Sequence, residues 1–206
     1  MQYTNLNRNN VYSLNNIGVE YKGNGDLIKA LDYFLESLKA WKEINFKQGI
    51  STSLNNIGYI YFTQNNLAEA LNYYKRGLCL QKEIGNTFGI ANSLNNIGAV
   101  YHKIGDEKKA LEYSGQAYFI SSEQKYPQYI SRAAKLLSDI YSRLAEKSLS
   151  SKSDYWKKAY EYHQVFSRMK DTLLNEESNK QITEMQTKYE TEKKEQQITL
   201  GLSQNL

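Results

Sequence analysis

The chain has 206 residues, of which 40% are hydrophobic and 13% aromatic, and its 26 basic and 22 acidic residues give a formal charge of +4. Charges of both signs are interspersed, which indicates a solvated surface and argues against a nucleic-acid-binding segment, because such segments carry a basic patch. A single proline and 12 glycines favour long helices over a loop-rich or all-β design.

After a polar lead-in at residues 1–8, the hexapeptide Ser-Leu-Asn-Asn-Ile-Gly occurs three times, at residues 13–18, 53–58 and 93–98. A fixed period of this length indicates a solenoid, in which each unit buries its apolar face only by stacking on its neighbours. We therefore expect one continuous stack whose function lies on a surface.

Each copy of the period predicts two helices joined by a tight turn. In the first copy, apolar residues recur at three- and four-residue steps on both sides of Gly23-Asn24-Gly25, and Asp26 is placed to cap the second helix. The second copy turns at Asn65-Asn66 and the third at Gly105. The three expected repeats span residues 9–46, 47–86 and 87–125.

A degenerate fourth copy is expected over residues 126–171. Pro127 suits a first helical position, and Leu137 takes the place of the hexapeptide isoleucine. An expanded, serine-rich turn around residues 148–153 precedes the second helix, which resumes at Trp156. Because terminal repeats of a solenoid are atypical, we interpret this copy as a cap.

Residues 172–206 predict a connector helix and tail, rich in Glu, Lys and Gln. Ile182, Met185 and Tyr189 form a short a/d seam. The seam is too short for an autonomous coiled coil, so we expect a helix that packs on the last repeat and then projects. The seam also makes a second copy of this chain a candidate partner, through the C-terminal helix.

The recurring spacing resembles the tetratricopeptide repeat. The resemblance implies an all-α fold, a right-handed superhelical solenoid of antiparallel helix pairs, with the long helix at its C-terminus. The period departs from that family's usual 34 residues. The residues that carry the match are Leu14, Ile17, Gly18, Tyr21, Ala30 and Phe34 in the first copy; Leu54, Ile57, Gly58, Tyr61, Ala70 and Tyr74 in the second; and Leu94, Ile97, Gly98, Tyr101, Ala110 and Ala117 in the third, where Ser114 replaces the aromatic residue.

In the resembling family, positions 2, 6 and 9 of each first helix line a concave groove that binds a peptide or protein partner. The corresponding residues here are Tyr12, Asn16, Val19, Thr52, Asn56, Tyr59, Asn92, Asn96 and Ala99. A subclass that clamps a C-terminal carboxylate places Lys and Arg beside such asparagines. That mode is disfavoured here, because the corresponding positions of the three copies hold asparagine and no cation.

The paired asparagines in the middle of each first helix need a compensating role, because asparagine is unfavourable inside helices. At Asn16, Asn56 and Asn96 the side chain either hydrogen-bonds the backbone of an extended peptide or makes an interhelix bond that fixes repeat register. Register is the better interpretation for the three preceding asparagines, which are Asn15, Asn55 and Asn95.

The sequence predicts no enzyme activity, no metal site and no cofactor for this segment. Its two histidines, His102 and His163, lack zinc-site spacing, and we expect His102 to be a surface or groove residue. The single cysteine, Cys79, lies in an apolar helical stretch, which predicts a buried, unreactive thiol. No run of about 18 apolar residues is present, so a membrane enters only through a span further along the gene.

Residues 187–195 resemble the connector that follows such repeats in Bacteroidetes-type sensors, where it leads to a membrane span and then to a histidine kinase or a helix-turn-helix output domain. We therefore expect the sensory or interaction region of a bacterial signalling protein. The alternative is a free-standing structural scaffold or adaptor. The region is periplasmic if a span follows and cytoplasmic otherwise.

Overall fold

A computed structural model describes the backbone of residues 8–148 and 150–203, and the side chains of residues 8–177 except Leu149, together with those of residues 179, 180, 183, 184 and 187. Within these ranges the chain forms eight α-helices and is all-α. The helices are α1 (Arg8–Gly23), α2 (Leu27–Glu43), α3 (Lys47–Thr63), α4 (Leu67–Glu83), α5 (Thr87–Ile104), α6 (Glu107–Glu123), α7 (Pro127–Lys147) and α8 (Lys152–Ser203).

Each of the first three helix pairs turns through one residue in the left-handed region, with φ of 82° at Gly25, 63° at Asn65 and 93° at Gly105. The next residue then caps the second helix. Asp26, Asn66 and Asp106 each accept a bond from the backbone N–H three residues later, at 3.1, 3.3 and 3.1 Å. The cap predicted at Asp26 is confirmed.

The glycine of the hexapeptide brings the two helices of a pair into close contact. A Cβ atom at Gly18 would lie 2.6 Å from the Phe34 ring, and one at Gly58 would lie 2.8 Å from the Tyr74 ring. Both rings are buried. Glycine is therefore required here for packing, and not for backbone conformation.

Buried polar side chains join one repeat to the next. Asn55 Nδ2 donates to Ser93 Oγ at 3.0 Å between repeats 2 and 3, and the Ser37 and Ser53 hydroxyls are hydrogen-bonded at 3.1 Å between repeats 1 and 2. Because buried polar groups must find partners, these bonds favour a single register of stacking. The structural role expected of Asn55 is confirmed.

The prediction that Cys79 is buried is wrong, since its side chain is exposed. Its neighbour Leu78 points into the core. Successive helical residues are about 100° apart, so an apolar stretch does not reveal which of its members faces inward.

The fourth helix pair differs from the expected one. The extra residues prolong α7, which has 21 residues against 17 or 18 in α3 and α5, so the connection to α8 covers only residues 148–151. The expanded turn was therefore predicted wrongly. Helix α8 then runs unbroken from the cap into the connector. The predicted seam at Ile182, Met185 and Tyr189 lies outside the described side chains.

In the described part of the chain, no helix combines the length and the hydropathy that a bilayer span requires.

Candidate functional site

The candidate site is the wall formed by the first helices of the repeats. These helices contact one another across neighbouring pairs, α3 with α5 and α5 with α7, so this wall is the concave side of the stack. All nine predicted groove residues are exposed or half-buried. The structure therefore leaves these positions accessible from α1 to α5.

Aromatic residues form the N-terminal end of the wall. The Tyr12 ring packs edge-on against Trp41 at a centroid distance of 4.8 Å and against Phe46 at 6.4 Å. Arg8 lies over the Phe46 ring at 4.6 Å. Tyr12 nevertheless stays 44% exposed, so it presents an apolar surface held in place by its neighbours.

In the middle of the wall, Asn56 Nδ2 donates to Asn15 Oδ1 at 2.9 Å and links α3 to α1. Asn56 is half-buried and not enclosed. Thr52 Oγ1 donates to the carbonyl of Gln48 at 3.0 Å, so its hydroxyl proton is already used within its own helix. Asn56 thus makes a register bond while it still lines the groove, and the two roles considered for it are compatible.

At the C-terminal end, a residue that the sequence reasoning missed completes the wall. Arg132 on α7 donates from Nη1 to Asn92 Oδ1 at 2.9 Å and from Nη2 to Asn96 Oδ1 at 3.0 Å. Arg132 follows Asn92 by 40 residues, so the period itself locates it once the degenerate copy is set in register. The inference that no cation lies beside the asparagines holds for the three regular copies and is wrong for the fourth.

A second cation, Lys22, lies on the same wall. Its Nζ stands 5.0 Å from the centroid of the Tyr59 ring. Burial lowers the pKa of Lys22, and the positive charge of Arg132 lowers this pKa further.

Beneath the wall, burial raises the pKa of the Tyr74 phenol, and the charge of Arg132 opposes that shift. Tyr74 therefore stays neutral at physiological pH. It packs against Gly58 as part of the core.

The His102 environment differs from the expected surface or groove position. His102 is only 16% exposed, and its Nδ1 lies 2.8 Å from Glu107 Oε2. Arg143 donates to Glu107 Oε1 at 3.0 Å and to the His102 carbonyl at 2.7 Å. This network fastens α7 to α5 and α6.

Among the described residues, no cluster of three or more His, Cys, Asp or Glu side chains suits a metal ion.

Two family models described as tetratricopeptide repeat match the chain, one at residues 10–83 and the other at residues 91–121, which together are just over half of its length. A comparison with curated proteins gave no match.

Among solved structures, the chain is similar to BtubC (BKLC) from P. vanneervenii, with 19% identity and a TM-score of 0.64, covering 79% of this chain and 64% of that one. It is similar to a STAND protein with a tetratricopeptide repeat sensor from Pyrococcus horikoshii, with 18% identity, a TM-score of 0.63 and coverage of 78% and 25%. It is also similar to a Rap protein complexed with competence and sporulation factor, with 16% identity, a TM-score of 0.57 and coverage of 80% and 53%. The chain spans less than two thirds of each, and the similarity is one of fold.

Proposed function

The chain belongs to the tetratricopeptide repeat family, and from this premise we propose that it is the sensory or interaction region of a bacterial signal-transduction protein, with the concave wall as its ligand site. Members of the family bind peptide or protein partners. The observation that carries the proposal is the uncovered wall itself, which runs over three consecutive repeats and ends at Arg132.

The length of α8 supports a signalling role. With a rise of 1.5 Å per residue, its 52 residues extend about 78 Å, whereas the 21 residues of α7 extend only about 31 Å. Every described side chain after Leu173 is exposed. A helix of this length is suited to carry a change in the stack to another domain, provided that the ligand binds two states of the stack differently.

Two of the similar structures agree with this proposal through their fold alone. One is named as a tetratricopeptide repeat sensor, and the other is complexed with competence and sporulation factor. For this chain, a histidine kinase or transcription regulator as the output domain is part of the proposal.

The test of the binding site uses peptides selected from a random display library against the wild-type chain. The groove variant combines Asn16→Ala with Tyr59→Ala, two exposed side chains of the wall. The control combines Glu112→Ala with Gln116→Ala, two exposed side chains of α6 on a second helix. We expect at least tenfold weaker binding to the groove variant and unchanged binding to the control. Equal binding to both variants contradicts the site.

The test of the signalling role is the full-length protein. A membrane span with a kinase domain, or a DNA-binding domain, after α8 supports the sensor. In the same protein, peptide binding should change amide hydrogen exchange along α8. Unchanged exchange in α8 argues that the helix does not respond to the ligand.

A structural scaffold is the second candidate, and it is favoured by the aromatic face of α8. Trp156 and Tyr160 are exposed there, beside a cavity of about 250 Å³ between α7 and α8. If a stable partner assembles on this face and binding is lost in Trp156→Ala but not in the groove variant, the scaffold is the better proposal.

We also propose that this segment is not an enzyme. Of its two histidines, His102 is bonded to Glu107, and His163 lies 5.8 Å from Phe166 between ring centroids. Turnover that disappears in His102→Ala while the fold is retained would contradict this.

A further inference from the structure

We propose that a second copy of this chain packs on the open end of the fourth repeat, through antiparallel pairing of the two α8 helices. The contact surface, called here the α8 stripe, lies beside the cavity of about 250 Å³ between α7 and α8. Its exposed residues recur at steps of four and three along the helix and are Trp156, Tyr160, His163, Ser167, Lys170 and Leu174. The stripe is separate from the concave wall, so the inference goes beyond the proposed function. It also differs from the scaffold, because the partner is this chain itself.

Stacked tyrosines set the register between α8 and the second helices of earlier repeats. One such pair joins the two helices of each repeat, Tyr61 to Tyr73 in the second and Tyr141 to Tyr162 in the fourth. Equal steps along α4 from Tyr73 and along α8 from Tyr162 therefore reach equivalent positions.

In this register the α8 stripe occupies positions that the fold covers in an earlier repeat. Tyr160 and His163 are equivalent to Leu71 and Tyr74, which belong to the core that repeat 3 completes. Tyr74 is only 2% exposed, whereas Tyr160 is 63% exposed. Helix α8 continues unbroken to Ser203, so the described chain brings no further helix over the stripe. The open end is thus a helix-packing surface without its helix.

The N-terminal end of a second copy does not fit this surface. Each later first helix buries an aliphatic side chain at one position, and Ile60, Val100 and Ile140 are all 0% exposed there. The equivalent residue of α1 is Glu20, which is exposed. A head-to-tail stack would bury this carboxylate where the repeats bury aliphatic groups, which is costly. The fitting element of a second copy is therefore α8 and not α1.

The order of residues in the α8 stripe favours an antiparallel pair. When two stripes are set antiparallel about their common centre, Trp156 meets the partner's Leu174, which places two exposed apolar side chains in contact. Tyr160 meets the partner's Lys170, a cation against an aromatic ring. A parallel pair instead sets Lys170 against the same lysine of the partner, where like charges repel.

Charges beside the stripe are complementary in the same antiparallel register. Lys157 lies next to the partner's Asp171, and Glu161 lies near the partner's Arg168. All four side chains are exposed, and within the described side chains none of the four forms an ion pair. A two-fold axis makes each contact twice, so the dimer gains four ion pairs that the single chain does not have. Such complementarity selects the partner and the register.

The dimer has a consequence for the output domain. Two antiparallel α8 helices leave the contact in opposite directions. This arrangement suits a soluble output domain, such as the proposed transcription regulator, better than two spans in one bilayer.

Sedimentation equilibrium of the whole chain, from micromolar to millimolar concentration, tests the contact. The stripe is about 27 Å long, and polar residues at its centre specify register at a cost in stability, so we expect a dimer with a micromolar Kd. Trp156→Ala combined with Leu174→Ala should weaken dimerisation at least about tenfold. Phe119→Ala, which removes an exposed aromatic ring from α6, is the matched control and should leave the Kd unchanged.

Exchange of charges tests the register. Lys157→Asp sets two carboxylates together and should weaken the dimer about fivefold. Adding Asp171→Lys should restore the wild-type Kd. Adding Glu112→Lys on α6 instead restores only the net charge and should not restore the Kd.

A distance between spin labels tests the direction of the pairing. The label is placed on Asn175→Cys in a Cys79→Ser chain, since both side chains are exposed. In the antiparallel dimer the two labels are about 30 Å apart along the helices, whereas a parallel dimer brings them within about 15 Å. Pulsed electron paramagnetic resonance separates the two values.

Three results overturn the inference: a chain that stays monomeric at millimolar concentration, a dimer that the Trp156 and Leu174 substitutions do not weaken, and the shorter label distance. Restoration of the Lys157→Asp dimer by Glu112→Lys also overturns it, because association then follows net charge. Peptide binding separates this inference from the proposed function. If library-selected peptides bind the wall of a monomeric chain, the dimer fails and the proposed function stands. If the antiparallel dimer forms and no peptide binds, the dimer stands and the proposed function fails.

Discussion

The junction between repeats 2 and 3 and the junction between repeats 3 and 4 join similar helix pairs by different chemistry. At the first, Asn55 and Ser93 are buried and exchange hydrogen bonds at 3.0 and 3.2 Å. At the second, Ala133 stands where the period would place the serine, and the buried Asn95 Oδ1 lacks a hydrogen-bond partner. At this second junction an ion-pair network centred on Glu107 links α6 to α5 and α7 instead.

The difference shows what a degenerate repeat adds to a regular stack. Neutral buried bonds specify register and can recur at every internal junction, because they need no solvent. The last repeat instead supplies Arg143, which pairs with the buried carboxylate of Glu107 and keeps 38% of its own side chain exposed. The same repeat brings Arg132 to the concave wall, where it orients two asparagines. The fourth repeat is therefore both the cap of the stack and one end of the groove.

Among the variants that test this comparison, removal of the buried Glu107 carboxylate should cause the largest loss of stability. Glu107→Ala leaves His102 and Arg143 without their partner, and we expect a loss of about 3 kcal/mol in the stability of the last helix pair. Because solenoid junctions respond locally, hydrogen exchange should accelerate in α7 and remain slow in α3 and α4. Glu83→Ala, which removes an exposed partner of Lys47, is the control. A uniform loss over the whole chain contradicts the local model.

The same asparagine-to-alanine substitution should cause different losses of stability at the two junctions. Asn55→Ala removes a bonded pair from a buried site and should destabilise the chain by about 2 kcal/mol. Asn95→Ala removes an atom that is already without a partner, so the loss should be well below that of Asn55→Ala. Urea denaturation followed by circular dichroism measures both. Similar losses at the two positions indicate that the asparagines act through packing volume and not through hydrogen bonds.

Restoring the missing partner should stabilise the weaker junction. Ala133→Ser places a hydroxyl where Ser93 stands one period earlier, and we expect a gain of about 1 kcal/mol from a bond to Asn95. Ala133→Val adds volume without a donor and serves as the control. If both variants destabilise the chain equally, the site around Asn95 lacks room for any added atom.

The smallest change in stability is expected for substitution of Lys22. Its folded-state pKa is lowered, so the protonated form opposes folding, and this penalty disappears as pH rises through the folded pKa. Lys22→Gln removes the penalty at neutral pH and should increase stability by no more than about 0.5 kcal/mol. Thermal unfolding at pH 7 and pH 10 should show a smaller rise in stability with pH for the variant. Marked destabilisation at pH 7 would show that Lys22 supports the fold.

The nine groove positions came from the resemblance to the tetratricopeptide repeat, and the structure leaves them accessible. The residues that were missed or misplaced have specific causes. Arg132 was missed because the fourth copy was interpreted as a cap, and the groove positions were assigned only in the three regular copies. The bond from Arg143 to the His102 carbonyl was missed because the two residues are 41 positions apart in sequence. The exposure of Cys79 was missed because a shift of one residue along a helix turns the side chain by about 100°, from the core towards solvent.

The sequence by itself determined the first three helix pairs and their turns, because these depend on local spacing, on caps such as Asp26 and on glycines that meet an aromatic ring. Only the tertiary structure decided which polar groups are already bonded and which are left for a ligand. Asn55 and Asn56 are adjacent in a motif repeated three times, yet one is buried against Ser93 and the other bonds Asn15 at the groove. The reason is physical: the availability of a hydrogen-bonding group depends on what the neighbouring repeat places beside it.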